Sequence, residues 1–456
     1  MNKQSLLWIG PLLSFALGVF LSSIGMSSEI AWTAGVTLLC AIWWVSEALP
    51  IPATSLLPFV LLPIGGVLDH KQVSSALGSH VILLLMGAFM LSKGIEKSRL
   101  HERLALYMVR VCGNHSAFRL ILGFMLASAF LSMWMSNTAT TLMLLPIALA
   151  VLAHAGNVRF SVVLMLGIAY AASLGGVGTP IGTPPNIIFM SVYQETTGSE
   201  YSFTQWMELG VPIVVLGIPF MALWLSRGVK LDKAIELPEV SQWSKAEKRT
   251  LLVFGLTALG WLTRKEPFGG WSGLLGIPSA GDATVALAAV MSMFLISDGK
   301  KGRLLDWDTA KDIPWGMLLL FAGGIAIAKA FVASGLSQQL GAALVGLKSL
   351  PPFLLMLTVC LAVTFMTEMT SNTATATLLM PVLASASMAI GKDPAYLMIP
   401  AVISASCAFM LPVATAPNAI VYSTGKFSMQ DMAREGVTLN FGLAFIVSLM
   451  CWLQLG

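Results

Sequence analysis

Charge is what this sequence has least of. Of 456 residues, 26 are Lys or Arg and 22 are Asp or Glu, 11% of the chain, where a soluble domain carries roughly 25%. The apolar fraction is 56%. So few charges cannot wet the surface of a protein this size, so the solvent around much of the chain is lipid. That excludes a soluble enzyme, a nucleic-acid binder and a disordered scaffold. A net charge of +4 is too small to imply a polyanionic partner. Paired cysteines are missing as well. Cys40, Cys112, Cys360, Cys407 and Cys451 stand alone, without the spacing of a zinc site, an iron–sulfur cluster or a disulfide framework. None of the histidines (His70, His80, His101, His115, His154) pairs with carboxylates at ligand spacing. No GxSxG serine with a His partner, HExxH, paired Asp or Walker motif is present, which argues against a polytopic membrane enzyme and against ATP-driven transport.

What the chain has instead is long apolar runs. About 20 residues cross the hydrocarbon, and spans are expected near 5–24, 30–47, 52–68, 77–95, 206–226, 249–264, 282–297, 313–333 and 436–455. The first is too long for a signal-peptide core and lacks a small-x-small cleavage site, so it reads as a transmembrane helix. Four further stretches, 118–154, 160–193, 351–390 and 395–424, are interrupted by polar or Gly/Pro patches. If the N-terminus is cytoplasmic and 118–154 and 351–390 enter and leave on one side, 20 basic residues fall inside and 5 outside, with Lys329 in a span. Basic residues resist translocation, so this orientation is expected. It makes those two stretches re-entrant hairpins, gives about eleven spans and leaves the C-terminus outside.

The chain also repeats itself. Ser136-Asn137-Thr138-Ala139-Thr140 recurs as Ser371-Asn372-Thr373-Ala374-Thr375, and Pro146 as Pro381. Ser92-Lys93 matches Ala328-Lys329, and Thr183-Pro184-Pro185-Asn186 matches Thr415-Ala416-Pro417-Asn418. The order is the same throughout and the spacing nearly constant, and the charge map gives the two copies opposite orientations. An inverted repeat is therefore expected. Irregular backbone survives in hydrocarbon only where it lines a protein cavity. The runs Gly175–Asn186 and Leu411–Asn418 cannot be continuous helices, and matched broken segments in two halves point to a transport site near the midplane. One Ser-Asn-Thr triplet alone would read equally well as a helix cap; its duplication favours a site.

These residues resemble the divalent-anion:sodium symporter (DASS) family, which carries dicarboxylates such as succinate, fumarate and malate. The two Ser-Asn-Thr tips, the two segments ending in Pro-Asn and the run Met410–Thr415 carry the resemblance. It implies an all-α polytopic membrane protein of elevator type: two re-entrant hairpins, two broken helices and a transport part moving against a scaffold, as a homodimer in the bacterial inner membrane. The corresponding division is 1–72, N-terminal scaffold helices; 73–205, first repeat core; 206–300, scaffold helices and cytoplasmic linker; 301–435, second repeat core; and 436–456, the last transmembrane helix. The resemblance places one substrate carboxylate at Ser136, Asn137 and Thr138 and the other at Ser371, Asn372 and Thr373, with Thr415 and Ala416 bordering the substrate. It places one Na⁺ at Ser132, Ser136, Asn137 and the carbonyl near Gly182, and a second at Thr367, Thr370, Asn372 and the carbonyl near Ala414. Partners are then a dicarboxylate anion, sodium ions and membrane lipid, with no nucleic acid and no organic cofactor. One departure is visible: Thr-Ala-Pro-Asn stands where the family has Thr-Pro-Pro-Asn, so Ala416 replaces a rigid ring beside the substrate.

Chemistry agrees with this reading. A dianion in a low-dielectric site needs compensating charge, and neither tip contains Lys or Arg. Co-bound Na⁺ would supply it and couple transport to the sodium gradient. A sodium-independent exchanger of the same anions is the alternative. Glu368, whose repeat partner is Met133, reads as a partner for hairpin backbone amides or a nearby Lys, or else as a proton or cation relay. Lys93 and Lys329 read as snorkelling to the interfaces or else as helping to balance charge, and Glu47 as a helix-end residue. The segment 97–112 reads as an amphipathic helix on the cytoplasmic surface, either a hinge arm or an anchor.

Overall fold

A computed structural model describes residues 3–153, 157–229, 237, 242–266, 268–344 and 350–456. His154, Lys230, Lys233 and Lys348, and much of the linker 228–250, lie outside the described residues. Regular structure among the described residues is helical, with one isolated bridge between Ser297 and Arg303. Among the described residues, seven helical stretches are long and apolar enough to cross a membrane: Ser5–Ser23, Ser28–Ser46, His70–Ser98, Val158–Gly178, Phe203–Ser226, Trp315–Ser334 and Met429–Leu455. Six shorter apolar helices accompany them. This is a multi-pass membrane protein.

The segment expected as one span over 52–68 is divided. Pro58, at the start of the second piece, has no N–H to continue the helix across Ser55–Leu56, and the chain forms two short helices, Ile51–Thr54 and Leu57–Ile64. Beyond it, a short helix, His70–Leu77, is capped by Asp69 and Gln72. Gly78 and Ser79 then interrupt the helix before His80–Ser98, whose cap is Ser79.

The repeat is written in the element order. His80–Ser98, Leu100–Cys112, Ala117–Ser132, Asn137–Ala153, Val158–Gly175, Pro184–Thr197 and Phe203–Ser226 follow one another. Trp315–Ser334, Leu336–Leu344, Pro352–Thr367, Asn372–Ala389, Ala395–Ala405, Ala416–Tyr422 and Met429–Leu455 repeat them. The hairpins are thus Ala117–Ser132 with Asn137–Ala153 and Pro352–Thr367 with Asn372–Ala389. The broken helices are Val158–Gly175 with Pro184–Thr197 and Ala395–Ala405 with Ala416–Tyr422. The halves pack reciprocally: Pro184–Thr197 lies against Asn372–Ala389, and Ala416–Tyr422 against Asn137–Ala153. Each broken helix therefore rests on the other half's hairpin, which brings both tips to one place. The broken helices form the core. Val162–Gly175 and Ala395–Ala405 are buried on every side, as an all-round apolar helix must be.

Around this core, Lys245–Leu262 and Asp282–Leu295 pack on His80–Ser98, while Ser28–Ser46 and Leu57–Ile64 pack on Trp315–Ser334. Lys97 ties the loop before Trp307 to its helix at 2.5 Å from Asp306, and this hydrogen bond holds the Asp306 carboxyl down to about 2. Lys93 meets Glu96 at 3.0 Å, and Lys329 meets Ser75 at 2.7 Å and Glu195 at 3.5 Å. Glu47 is the left-handed C-cap of Ser28–Ser46.

The segment 97–112 contains the helix Leu100–Cys112, with Leu100, Ala105 and Val109 buried where it packs on the first hairpin. It is not simply a surface helix. Arg103 is buried and bidentate to Glu247, with Nε to Oε1 at 2.7 Å and Nη2 to Oε2 at 3.1 Å. Its guanidinium lies 4.7 Å from the Trp243 ring centroid. The helix is thereby fixed to the start of Lys245–Leu262.

Candidate functional site

Both tips open on one cavity of about 390 Å³, a size suited to a small ligand. Its wall includes Ser136–Thr138, Gly182–Pro185, Ser371–Thr373 and Ala414–Pro417. Four helices begin at these residues: Asn137–Ala153, Pro184–Thr197, Asn372–Ala389 and Ala416–Tyr422. Each helix start carries a partial positive charge, so four such ends converge on one space, although Pro184, Pro185 and Pro417 bring no N–H to it. Trp44, Val45, Glu47, Leu85, Phe89, Pro314 and Met317 close the opposite wall. Among the described residues, no Lys or Arg lines it. The arrangement suits an anion met by backbone and hydroxyl donors.

The helices start there for local reasons. Met133 ends the first arm of the first hairpin as a C-cap, and Ser136 Oγ accepts from Ala139 N at 3.2 Å to begin the next helix. In the broken helices, Pro184, Pro185 and Pro417 occupy the first helical positions, where a missing N–H costs nothing. Thr415 Oγ1 accepts from Asn418 N at 3.2 Å as an N-cap.

Behind each tip lies a cluster of oxygens. The end of the Asn137 amide that meets Ser132 Oγ at 2.6 Å is also 3.2 Å from the Ala172 and Gly182 carbonyls. As an NH₂ this end shares its two hydrogens among these three oxygens. As Oδ1 it completes an all-oxygen cluster of the sort that holds a hard cation. The repeat reproduces it: Thr367 Oγ1 lies 2.7 Å from Asn372 Oδ1 and 3.0 Å from the Ala405 carbonyl. Glycine makes the first cluster possible. A Cβ on Gly176 would come within 2.8 Å of Asn137 Oδ1, and one on Gly182 within 2.5 Å of the Gly176 carbonyl oxygen.

Of the sequence-expected residues, the structure gathers Ser132, Asn137 and Gly182 in one cluster and Thr367 and Asn372 in the other. Ser136, Thr138, Ser371, Thr373, Thr415 and Ala416 line the cavity. Two differ from expectation. Ser136 Oγ is engaged in the helix cap. Thr370 Oγ1 turns to Thr375 Oγ1 at 2.6 Å and to the Met366 carbonyl at 2.9 Å, because this hydroxyl satisfies its own hairpin first. Ala414 lines the cavity, and its N–H donates to the Leu411 carbonyl at 3.2 Å. Sequence reasoning missed the Ala172 and Ala405 carbonyls; the repeat offset relates the two, but no side-chain pattern marks a backbone oxygen.

The Pro-Asn asparagines brace the breaks. Asn186 Nδ2 donates to the Gly176 and Thr179 carbonyls at 3.0 and 2.8 Å. Asn418 Nδ2 does the same to the Ala408 and Leu411 carbonyls, both at 3.0 Å. These are repeat-equivalent atoms. Each broken segment is thus cross-tied by one buried amide, so its carbonyls are fixed in place. Glu368, buried behind the second tip, accepts from Phe409 N at 2.7 Å, Met410 N at 2.9 Å, Leu411 N at 3.1 Å and Asn440 Nδ2 at 2.7 Å. The expectation of backbone-amide partners holds, but the amides belong to the break at Phe409–Leu411 and not to the hairpin. Among the described residues, no group of three or more His, Cys, Asp or Glu could hold a metal ion.

Comparison with known proteins extends these observations. A family profile described as "Citrate transporter" matches residues 41–396. The sodium-dependent dicarboxylate transporter SdcS of Staphylococcus saprophyticus is 39% identical over 470 residues, covering 97% of this chain and 90% of that protein. SdcS of Staphylococcus aureus (strain bovine RF122 / ET3-1) is 40% identical, covering 97% of this chain and 89% of that protein. Among solved structures, the YdaH transporter of Alcanivorax borkumensis superposes with a TM-score of 0.61 at 15% identity, over 92% of this chain and 98% of that chain. MtrF of Neisseria gonorrhoeae gives 0.59 at 13% identity, over 87% and 86%. At those identities the likeness is one of fold.

Proposed function

This chain belongs to the citrate-transporter family, the divalent-anion:sodium symporters, and from that premise we propose that it imports C4-dicarboxylates such as succinate, fumarate and malate by sodium symport. The observation that carries the proposal is the convergence of four helix N-termini and two Ser-Asn-Thr tips on one cavity without a lining cation, with an oxygen cluster behind each tip. The names of the SdcS relatives point the same way.

Ser136, Asn137 and Thr138 receive one carboxylate, and Ser371, Asn372 and Thr373 the other. Thr415 and Ala416 border the carbon chain. One Na⁺ is held by Ser132, Ser136, Asn137 and the Gly182 carbonyl, with the Ala172 carbonyl in reach. The other is held by Thr367, Thr370, Asn372 and the carbonyl near Ala414, with the Ala405 carbonyl in reach. Thr370 has to exchange its bond to Thr375 to take part. Each Asn lies between cation and anion, its Oδ1 toward sodium and its backbone at the positive end of a helix. A dianion in this cavity without sodium would be desolvated and uncompensated; two Na⁺ balance the charge of the substrate. Substrate binding therefore follows sodium binding, which is the coupling.

For translocation, the two repeat cores, with their hairpins and broken helices, move as one elevator-type body against the scaffold helices of 1–72 and 206–300. Leu100–Cys112 and Leu336–Leu344 act as the connecting arms. The protein works as a homodimer in the bacterial inner membrane, with the N-terminus cytoplasmic and the C-terminus outside.

The test is succinate uptake into proteoliposomes with and without an inward sodium gradient. Uptake driven by the gradient is expected. Uptake that ignores sodium but requires internal dicarboxylate would replace symport with exchange.

A further inference from the structure

The two oxygen clusters are related by the repeat, yet their surroundings carry different charge. Glu368 directly follows Thr367, the hydroxyl donor of the second cluster. Its place in the first half is taken by Met133, an apolar side chain packed on Gly178. The four hydrogen bonds at Glu368 are all donated to the carboxylate, the pattern of an ionised group, which only accepts. Among the described residues no Lys or Arg pairs with it. Buried Glu435, on the same helix as Asn440, is by contrast matched by Arg159 at 2.7 Å and Arg227 at 3.0 Å. Glu368 is therefore a net negative charge held beside one cluster and absent from the other.

Its neighbours keep it there without neutralising it. Three of its bonds engage the N–H groups of Phe409, Met410 and Leu411, the irregular backbone of the second break. The Ala408 and Leu411 carbonyls are held by Asn418, and the Phe409 carbonyl accepts from Tyr170 at 2.7 Å. The backbone groups of this bend are thus largely occupied, whereas the Ala405 carbonyl stays with the Thr367–Asn372 pair. A fixed charge in a poorly screened interior attracts a cation far more strongly than it would in water.

We propose that Glu368 makes the second cation position the tighter of the two, so that sodium enters at Thr367 and Asn372 before it enters at Ser132 and Asn137. The inference rests on the sodium-symport reading and adds an order of binding to it. Glu368 acts as a positioning and electrostatic residue. The first cluster, which lacks a carboxylate, fills at higher sodium and completes the site for the dianion.

The test is sodium titration of the purified full-length protein without substrate, at constant ionic strength with choline, read by thermal stability and tryptophan fluorescence. Two sodium-specific phases are expected. Thr367→Ala removes the tighter phase and Ser132→Ala the weaker. Glu368→Gln raises the midpoint of the tighter phase about tenfold, whereas Glu368→Asp, which keeps the charge but disturbs the packing, stays within about threefold. A Thr367→Ala protein that keeps its tighter phase, or equal shifts for Glu368→Gln and Glu368→Asp, would overturn the proposal while leaving sodium coupling intact. Should Glu368→Gln fail to fold, the Thr367→Ala and Ser132→Ala pair decides alone. Absence of any sodium-specific response in the wild type would overturn the symport reading and this inference with it.

Discussion

The two hairpin tips carry the same Ser-Asn-Thr triplet but are attached to the rest of the molecule in different ways. Beside the first tip, Trp134 inserts into an aromatic cluster. It stacks on Trp261 at 6.2 Å and Phe203 at 6.3 Å and meets Phe254 edge-on at 5.1 Å. Two of these rings belong to Lys245–Leu262. Beside the second tip the equivalent residue is Met369, 80% exposed on the cavity wall. The connecting segments differ likewise: Arg103 fixes the first to Glu247, whereas Leu336–Leu344 contains no charged residue. Ligand chemistry is thus duplicated while attachment is not. Trp134 fastens the first tip to the surrounding helices, whereas Met369 at the second tip is exposed to the cavity.

The comparison can be broken most severely at the shared chemistry. Asn137→Ala and Asn372→Ala are each expected to lower dicarboxylate uptake by at least about 100-fold, since each removes an oxygen from a buried charge-compensating set; uptake surviving either substitution would end the equivalence of the tips. Next comes the attachment of the first connecting helix. Arg103→Met leaves Glu247 buried without its partner and should cost about 3–5 kcal/mol in unfolding measurements, while Gln338→Met on the second connecting helix should change little. The tips themselves follow. Trp134→Ala empties an aromatic cluster and should lower stability by about 3 kcal/mol, against less than about 0.5 kcal/mol for exposed Met369→Ala. Equal thermal shifts would show that the first tip is not fastened. A modest effect of opposite sign belongs to Ala416→Pro, which restores the Thr-Pro-Pro-Asn of the other half at a first helical position. It should stabilise the protein by about 0.4–1 kcal/mol and leave the sodium dependence of uptake unchanged.

Much of the architecture was legible in the sequence. Hairpin tips and broken helices announce themselves because triplets and Pro-Asn pairs recur at a nearly constant offset. Gly175 to Asn186 also cannot be helical throughout, whatever surrounds it. Pro58 was equally visible and falls where a segment whose apolarity alone reads as one span is divided; there backbone chemistry outweighs hydropathy. The Ala172 and Ala405 carbonyls were not legible, because a backbone oxygen has no residue type. The burial of Arg103 was hidden too. Its place on the polar stripe of an amphipathic helix indicates solvent, and its partner Glu247 lies far along the chain. The amide nest around Glu368 could be suspected from one carboxylate in an apolar hairpin, but the three N–H groups that fill it come from the other side of a break.

The most direct measurement is the affinity of succinate for the purified protein in sodium and in equimolar choline, for wild type, Asn137→Ala and Asn372→Ala. Binding should be tight only for the wild type in sodium and should collapse in choline or when either asparagine is removed. Equal affinity in both salts, or binding retained in both variants, would contradict a cavity in which sodium supplies the charge that the protein lacks.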